Sequence, residues 1–293
     1  MQHGAGDVVP ERYPVDVYDR WLRQLSYTPE KTTILLDASG APRFPYSAGM
    51  AAPPPAPALR VEQLAKRYGG CRALEGADLV VRAGETAALV GANGAGKTTL
   101  LKCILDLVLP DAGRIEIFGV PNRQPISRAR IAYLPERFSP PHYLKGREFI
   151  EMTLTLAGSR YDQQNAERRL AELELDPAVL ERPARQLSKG TTQKLGLAAT
   201  LLVERDLYIL DEPMSGLDPA SRIAVKSALA RLQREGRAVF FTSHVLADAE
   251  ELCSSLIVLD QGAVRFHAAP AALRERYGEP SLERAYLRCI TQK

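Results

Sequence analysis

Gly91-Ala92-Asn93-Gly94-Ala95-Gly96-Lys97-Thr98-Thr99 is the stretch that decides the fold. Its first eight residues fit GxxxxGK[ST] in full. Before it stands the apolar run Thr86 to Val90 (TAALV), which reads as a strand. After it Leu100, Leu101, Ile104 and Leu105 recur at helical spacing. A strand thus enters a glycine loop that opens a helix. The glycines let the backbone fold tightly, so that successive N–H groups point at phosphate oxygens. The helix N-terminus adds the positive end of its dipole. Lys97 is placed to reach the β- and γ-phosphates, and the Thr98 hydroxyl to ligate magnesium. The loop by itself specifies a nucleoside triphosphate and leaves kinases, GTPases and motors open.

A second stretch narrows the choice. Leu207-Tyr208-Ile209-Leu210-Asp211-Glu212-Pro213 is an apolar strand that ends in two carboxylates. Strand-end acids sit where ligands bind in open α/β sheets. Asp211 suits magnesium, held directly or through water, and Glu212 suits the general base that orients or deprotonates an attacking water. Further strands are expected at Arg114 to Phe118, Arg130 to Leu134, Ala238 to Thr242 and Ser255 to Leu259. Arg147 to about Arg182 reads as mostly helical, restarting at Asp176-Pro177. From Leu59 onward strands and helices alternate, which predicts a parallel sheet with helices on both faces, interrupted by a helical block at about 140–190.

With these motifs in order, the chain resembles an ATP-binding cassette (ABC) ATPase over about residues 59–267. Five further features carry the resemblance. Tyr68, in LAKRYGG, matches the aromatic on which the family stacks adenine. Glu136, in IAYLPERF, stands where the family has the glutamine that senses the γ-phosphate and magnesium; it remains an oxygen ligand but brings a full negative charge. Leu187-Ser188-Lys189-Gly190-Thr191 matches the LSGGQ signature, with Lys189 replacing a glycine and Thr191 the glutamine. Gln193 to Glu204 reads as helix, so Ser188 is placed as an N-cap whose loop presents N–H groups to an anion. Ser215-Gly216-Leu217-Asp218 matches the D-loop, with Asp218 also placed to cap the helix that starts at Pro219. His244, after Thr242-Ser243, matches the switch histidine.

The resemblance implies an α/β P-loop NTPase fold with a mainly parallel central sheet, an N-terminal antiparallel β subdomain and an inserted α-helical subdomain. It implies ATP and Mg2+ as ligands. The expected ATP-binding residues are Tyr68, Gly91, Asn93, Gly94, Ala95, Gly96, Lys97, Thr98, Thr99, Glu136, Ser188, Lys189, Gly190, Thr191 and Asp218. Thr98, Glu136 and Asp211 are expected at the metal, and Glu212, His244 and Lys97 in catalysis. Spacing alone leaves open whether Ser188 acts within its own chain. The resemblance implies two cassettes facing head to tail, each ATP lying between one chain's phosphate loop and the other's signature. The partners implied are a second cassette, identical or paralogous, and a transmembrane permease subunit.

Composition sets the outer limits. The chain has 293 residues, 45% hydrophobic and 25% charged, with a formal net charge of +3. No concentrated basic patch argues for nucleic acid. Cys71, Cys103, Cys253 and Cys289 form no CxxC pair and read as free thiols, mostly buried. No apolar run reaches the roughly 18 residues of a membrane span, and MQHGAGDVVPERYPVD lacks the features of a signal peptide. The expected location is therefore the cytoplasmic face of the cell membrane, peripheral, through the membrane subunit.

Residues 1–50 read as an extension of unknown role, either a partly ordered tail or, with Val15, Tyr18, Leu22 and Leu25 at helical spacing around Trp21, a docking helix; Thr32 to Leu36 is a candidate strand. Residues 51–58 (AAPPPAPA) read as a Pro/Ala-rich linker, 59–267 as the cassette, and 268–293 as a C-terminal helical tail. YLPE at Tyr133 to Glu136, SKG in the signature and PSLERAYL at Pro280 to Leu287 resemble the bacterial multidrug, antibiotic and polysaccharide exporter branch. In that last stretch Leu282, Ala285 and Tyr286 share one helical face, suited to packing on the cassette. The alternative is a soluble ABC ATPase serving as a regulatory or translation-associated factor. Against it stand the single cassette and the about ninety residues between loop and signature, which hold no sustained heptads.

Overall fold

The computed structural model describes residues 56–292. The expectations for Trp21 and its helix, for the strand at Thr32 to Leu36 and for most of the linker at 51–58 lie outside these residues.

Two sheets organise the fold. The first has four strands in the order β2-β1-β4-β5 and is antiparallel throughout: β1 (Leu59–Tyr68), β2 (Cys71–Val81), β4 (Ala112–Ile117) and β5 (Val120–Pro121). The second has six strands in the order β10-β9-β3-β8-β7-β6. Here β3 (Thr86–Val90), β6 (Ile131–Leu134), β7 (Leu207–Leu210), β8 (Ala238–Ser243) and β9 (Ser255–Asp260) run parallel, and β10 (Ala263–Ala268) returns antiparallel beside β9. The chain is thus an α/β P-loop NTPase with the expected antiparallel subdomain.

The parallel strands were readable because both faces are covered. Every residue of β3, β6 and β7 is buried, so each appears in sequence as an unbroken apolar run. Simple alternation of strands and helices from Leu59 does not hold, because two long strands come first. Their pattern is disguised by a bulge. Register shifts interrupt β1 after Val61, and Gln63 takes a left-handed φ of 47° while its N–H donates to Asp78 Oδ1 at 2.7 Å.

Helix α1 (Lys97–Ile104) follows the glycine loop, and the short α2 (Pro125–Arg128) precedes β6. The helical block holds α3 (Gly146–Leu156), α4 (Gln163–Glu172) and a 3-10 turn at Pro177–Glu181, restarting at Asp176-Pro177 as expected. Helix α5 (Lys189–Leu202) leads back to β7. Helices α6 (Pro219–Arg234) and α7 (Leu246–Leu252) flank β8, and α8 (Pro270–Tyr277) and α9 (Leu282–Thr291) close the described chain. In α9, Leu282 and Ala285 are fully buried and Cys289 nearly so. No described helix is long and apolar enough to cross a membrane. The cysteines are free, Cys71 exposed and the other three buried.

Candidate nucleotide site

Register brings the chemistry to one edge. Val90 pairs with Ser243, and Leu210 with both Phe241 and Leu134. The chain segments that follow β3, β6, β7 and β8 therefore leave the sheet at the same end, where open α/β sheets bind ligands. They surround a cleft of about 440 Å³ lined by the glycine loop, Glu136, Asp211, Glu212, Ser215 and His244, with Cys71 and Ala73 forming its β2 wall.

The acid pair is held by a side chain that sequence reading did not single out. Thr242 is fully buried in β8. Its hydroxyl donates to Asp211 Oδ1 at 2.7 Å and accepts the Glu212 N–H at 2.8 Å. A threonine inside a strand looks like ordinary β-propensity; only the pairing of β7 with β8 sets it beside the acids. Glu212 has φ 49°, a left-handed conformation uncommon for a side chain with a Cβ. The turn aims its carboxylate at His244, whose Nδ1 lies 2.8 Å from Glu212 Oε2. Glu212 is 13% exposed and His244 60%, so the pair bridges the cleft wall and solvent.

Three carboxylates converge here, and Asp211 registers it. Burial pushes its pKa up to about 6; the Thr242 hydrogen bond opposes the rise, the Glu136 and Glu212 charges add to it, and Lys97 lowers it. Lys97 Nζ donates to the carbonyls of Gly91 at 2.6 Å and Ala92 at 3.2 Å. Among the described residues no group of three or more His, Cys, Asp or Glu is arranged to hold a metal alone. Hard oxygen donors from Thr98, Asp211 and Glu136 line the cleft. This set fits Mg2+, which takes one or two carboxylates and completes its shell with phosphate and water.

Not every expected residue reaches the cleft. Gly91, Ala95, Tyr68, Ser188, Lys189, Gly190, Thr191 and Asp218 do not line it. Gly91 and Ala95 are the buried frame of the loop. Tyr68 ends β1 opposite Cys71, 48% exposed, with Lys66 Nζ 5.6 Å from its ring. Ser188 caps α5 as expected, accepting the Thr191 N–H at 3.2 Å, and its hydroxyl is 2.8 Å from that of Thr191. Asp218 caps α6, accepting the Ser221 N–H at 2.9 Å and its hydroxyl at 2.7 Å. Those Ser221 bonds hold its carboxyl below the usual range. The two loops lie side by side: a Cβ built on Gly216 would be 3.4 Å from Lys189 Cε. Of these two loops only Ser215 reaches the cleft that the phosphate loop lines.

Phe138 joins the Glu136 segment to the helical block. Its ring meets Phe149 of α3 edge-on, with centroids 5.2 Å apart. It also lies against Gly196 of α5 so closely that a Cβ there would fall 2.6 Å from Phe138 Cδ1. Only glycine admits that contact.

Comparison with known proteins identifies the family. The family described as ABC transporter matches residues 74–215. The chain is 37% identical over 218 residues to a Nod factor export ATP-binding protein I of Burkholderia orbicola, covering 72% of this chain and 70% of that one. It is 38% identical over 195 residues to an uncharacterised ABC transporter ATP-binding protein of Nostoc, covering 64% of this chain; it spans only 57% of that relative. Among solved structures, the ATP binding subunit of an ABC transporter superposes with a TM-score of 0.70 at 32% identity, over 79% of this chain and 98% of that one.

Proposed function

This chain belongs to the ABC transporter family, and from that membership we propose that it binds and hydrolyses ATP to power export through a separate membrane subunit. It works at the cytoplasmic face of the membrane, paired with a second cassette. The observation that carries this reading is the assembly of Lys97, Asp211, Glu212, Thr242 and His244 around one cleft, which Ser188 does not line.

The N–H groups of the glycine loop and α1 bind the triphosphate, and Lys97 exchanges its loop carbonyls for phosphate oxygens. Thr98, Asp211 and Glu136 would hold Mg2+, which neutralises phosphate charge when bound. Thr242 fixes the Asp211 carboxylate and the Glu212 backbone together, so the base and the metal-side acid keep one spacing. Glu212 accepts a proton from the water that attacks the γ-phosphorus, and the leaving group is ADP. His244 orients the Glu212 carboxylate from the solvent side. Ser188, Lys189, Gly190 and Thr191 of the second cassette complete the γ-phosphate shell and exclude water, with Asp218 at the seam; Tyr68 lies at the adenine end. The Nod factor export relative favours export as the direction. The Phe138 contact supplies a path from the Glu136 segment to the helical block.

Glu212→Gln provides the test. The amide keeps shape and hydrogen-bonding reach but cannot take the proton. The variant is expected to bind ATP, accumulate as an ATP-bound dimer on size exclusion, and lose phosphate release by about a hundredfold or more. Phosphate release near the wild-type rate would remove Glu212 as the base.

A further inference from the structure

His244 stands in the short link between β8 and α7, and its side chain is 60% exposed. Packing alone does not fix a ring so open to solvent. Helix α7, which follows it, has seven residues and begins at Val245, which has no side-chain oxygen to cap it. What anchors α7 is Asp248 in its first turn. That carboxylate is only 5% exposed, and α6 supplies two cations to it. Arg222 donates to Oδ2, and Lys226 Nζ lies 3.1 Å from Oδ1. Arg222 and Lys226 are four residues apart on α6 and so share one face.

Arg222 also belongs to the other side of the site. Its backbone N–H donates to Asp218 O at 3.0 Å, closing the first turn of α6 directly after the Ser215 to Asp218 loop. One residue therefore fastens that loop through its backbone and the His244 segment through its side chain. Between the two segments lies a cavity of about 70 Å³, lined among others by Glu212, Ser215, Gly216, Arg222, His244 and Asp248. Glu212, Ser215 and His244 line the nucleotide cleft as well. The Glu212–His244 pair is thus a wall with space on both faces. Close packing on both sides would hold such a wall by itself. Here polar links close a ring around the space: Glu212 to His244 at 2.8 Å, and Asp248 to Arg222.

We infer that Arg222 and Asp248 are positioning residues for the reaction: their ion pair keeps the Asp218 loop and the His244 segment at one spacing, so that His244 holds the Glu212 carboxylate in line. This rests on the roles proposed above for Glu212 and His244. Opening the link lets the His244 segment drift and frees the Glu212 carboxylate to turn. The phosphate loop and Lys97 are not part of the ring, so ATP affinity stays. The loss falls on the chemical step.

The full chain carrying Arg222→Met keeps the apolar stem and removes the charge. Lys226 still meets Asp248, so the buried carboxylate is not left alone. Arg222→Lys returns a cation to the same place. Glu250→Gln is the control: Glu250 is on α7 as well, but pairs with Arg274 of α8 at 3.0 Å. ATP Kd by equilibrium binding, KM and kcat by phosphate release, and Tm are measured together, at chain concentrations where the specific rate has levelled off. The expected result for Arg222→Met is kcat lowered about tenfold, the scale of a small misplacement, with Kd and KM within about twofold. Arg222→Lys should recover most of that rate, and Glu250→Gln should behave like wild type. In a His244→Ala chain, Arg222→Met should lower kcat no further, because the two changes break one ring. Wild-type kcat in Arg222→Met, or a lower Tm alone, would overturn the inference. So would a rise in KM at unchanged kcat, or a full tenfold loss added to His244→Ala. A wild-type chain that hydrolyses no ATP would strike the proposed function and this inference with it; an active wild type with an unaltered Arg222→Met strikes the inference alone.

Discussion

Thr242 has two partners and no exposure, which makes its hydroxyl the most constrained group near the acids. Replacing it by valine keeps shape and branching and deletes both hydrogen bonds. Asp211 Oδ1 loses a donor and the Glu212 N–H loses its acceptor. Leaving buried polar groups unpaired costs about 1–3 kcal/mol. Thr242→Val is therefore expected to lower stability by that amount in denaturant titration, and to depress turnover further because Glu212 keeps its left-handed turn only while that N–H is anchored. A variant with wild-type stability and turnover would show that the acids position themselves. Glu136 works differently. Its charge raises the Asp211 pKa. Each carboxylate here makes a cation more welcome.

At the scale of elements, two junctions carry distinct consequences. The first joins the Glu136 segment to α5 through Phe138 and Gly196. Gly196→Val places a branched side chain where Cβ alone would be 2.6 Å from the ring. Phe138 has to move, and Glu136, two residues earlier, moves with it. Overpacking of this kind costs about 1–3 kcal/mol. The expected outcome is a folded chain with lower stability and, under the proposed function, weakened coupling of ATP turnover to the proposed membrane subunit, read as loss of stimulation when the two are reconstituted. Full stimulation would show that the helical block receives its signal elsewhere. The second junction ties β1 to the segment before β4. Asp111 accepts from Lys66 Nζ at 2.8 Å and from the Arg67 N–H at 2.6 Å, and Lys66 first, then Arg67, hold its carboxyl below the usual range. Its folded pKa is thus lower than its unfolded one. The stabilisation is present above the ordinary carboxylate pKa and disappears as pH falls through the depressed value. Asp111→Asn should flatten the fall of Tm between about pH 5 and pH 3; an unchanged slope would assign acid sensitivity to other carboxylates.

For the molecule as a whole, the question is which chain completes the cleft. The cleft is lined by the phosphate loop, the acids, Ser215 and His244, while Ser188, Lys189 and Gly190 do not line it, Lys189 and Gly190 lying beside Gly216. If two chains share each ATP, complementary defects rescue one another. Lys97→Ala and Ser188→Arg are each expected to be inactive alone. Mixed, they form pairs in which one composite site has an intact phosphate loop and an intact signature, so phosphate release reappears. No recovery on mixing, with both proteins folded and the Ser188→Arg chain still binding ATP, would mean that each chain completes its own site. A shared site also predicts turnover that rises more steeply than linearly with chain concentration at the dilute end.

Much of this was legible in the chain itself. TAALV, LYIL and the apolar runs at 238 and 255 announced the parallel strands because a doubly covered strand has no polar face to interrupt it. GANGAGKTT and Asp211-Glu212 announced the chemistry because phosphate binding and metal-side acids demand contiguous residues of fixed type. Ser188 and Asp218 were readable as caps because capping is local. Other features had no local signature. The first two strands were obscured by the bulge at Gln63 and by half-exposed faces. Thr242 and Phe138 are ordinary residues in sequence and acquire roles only through neighbours 31 and 58 positions away, at Asp211 and Gly196 respectively. Sequence determined the residues whose function depends on what stands beside them in the chain. Tertiary structure alone decided those whose function depends on strand register and helix docking, since these long-range contacts form only when the core closes.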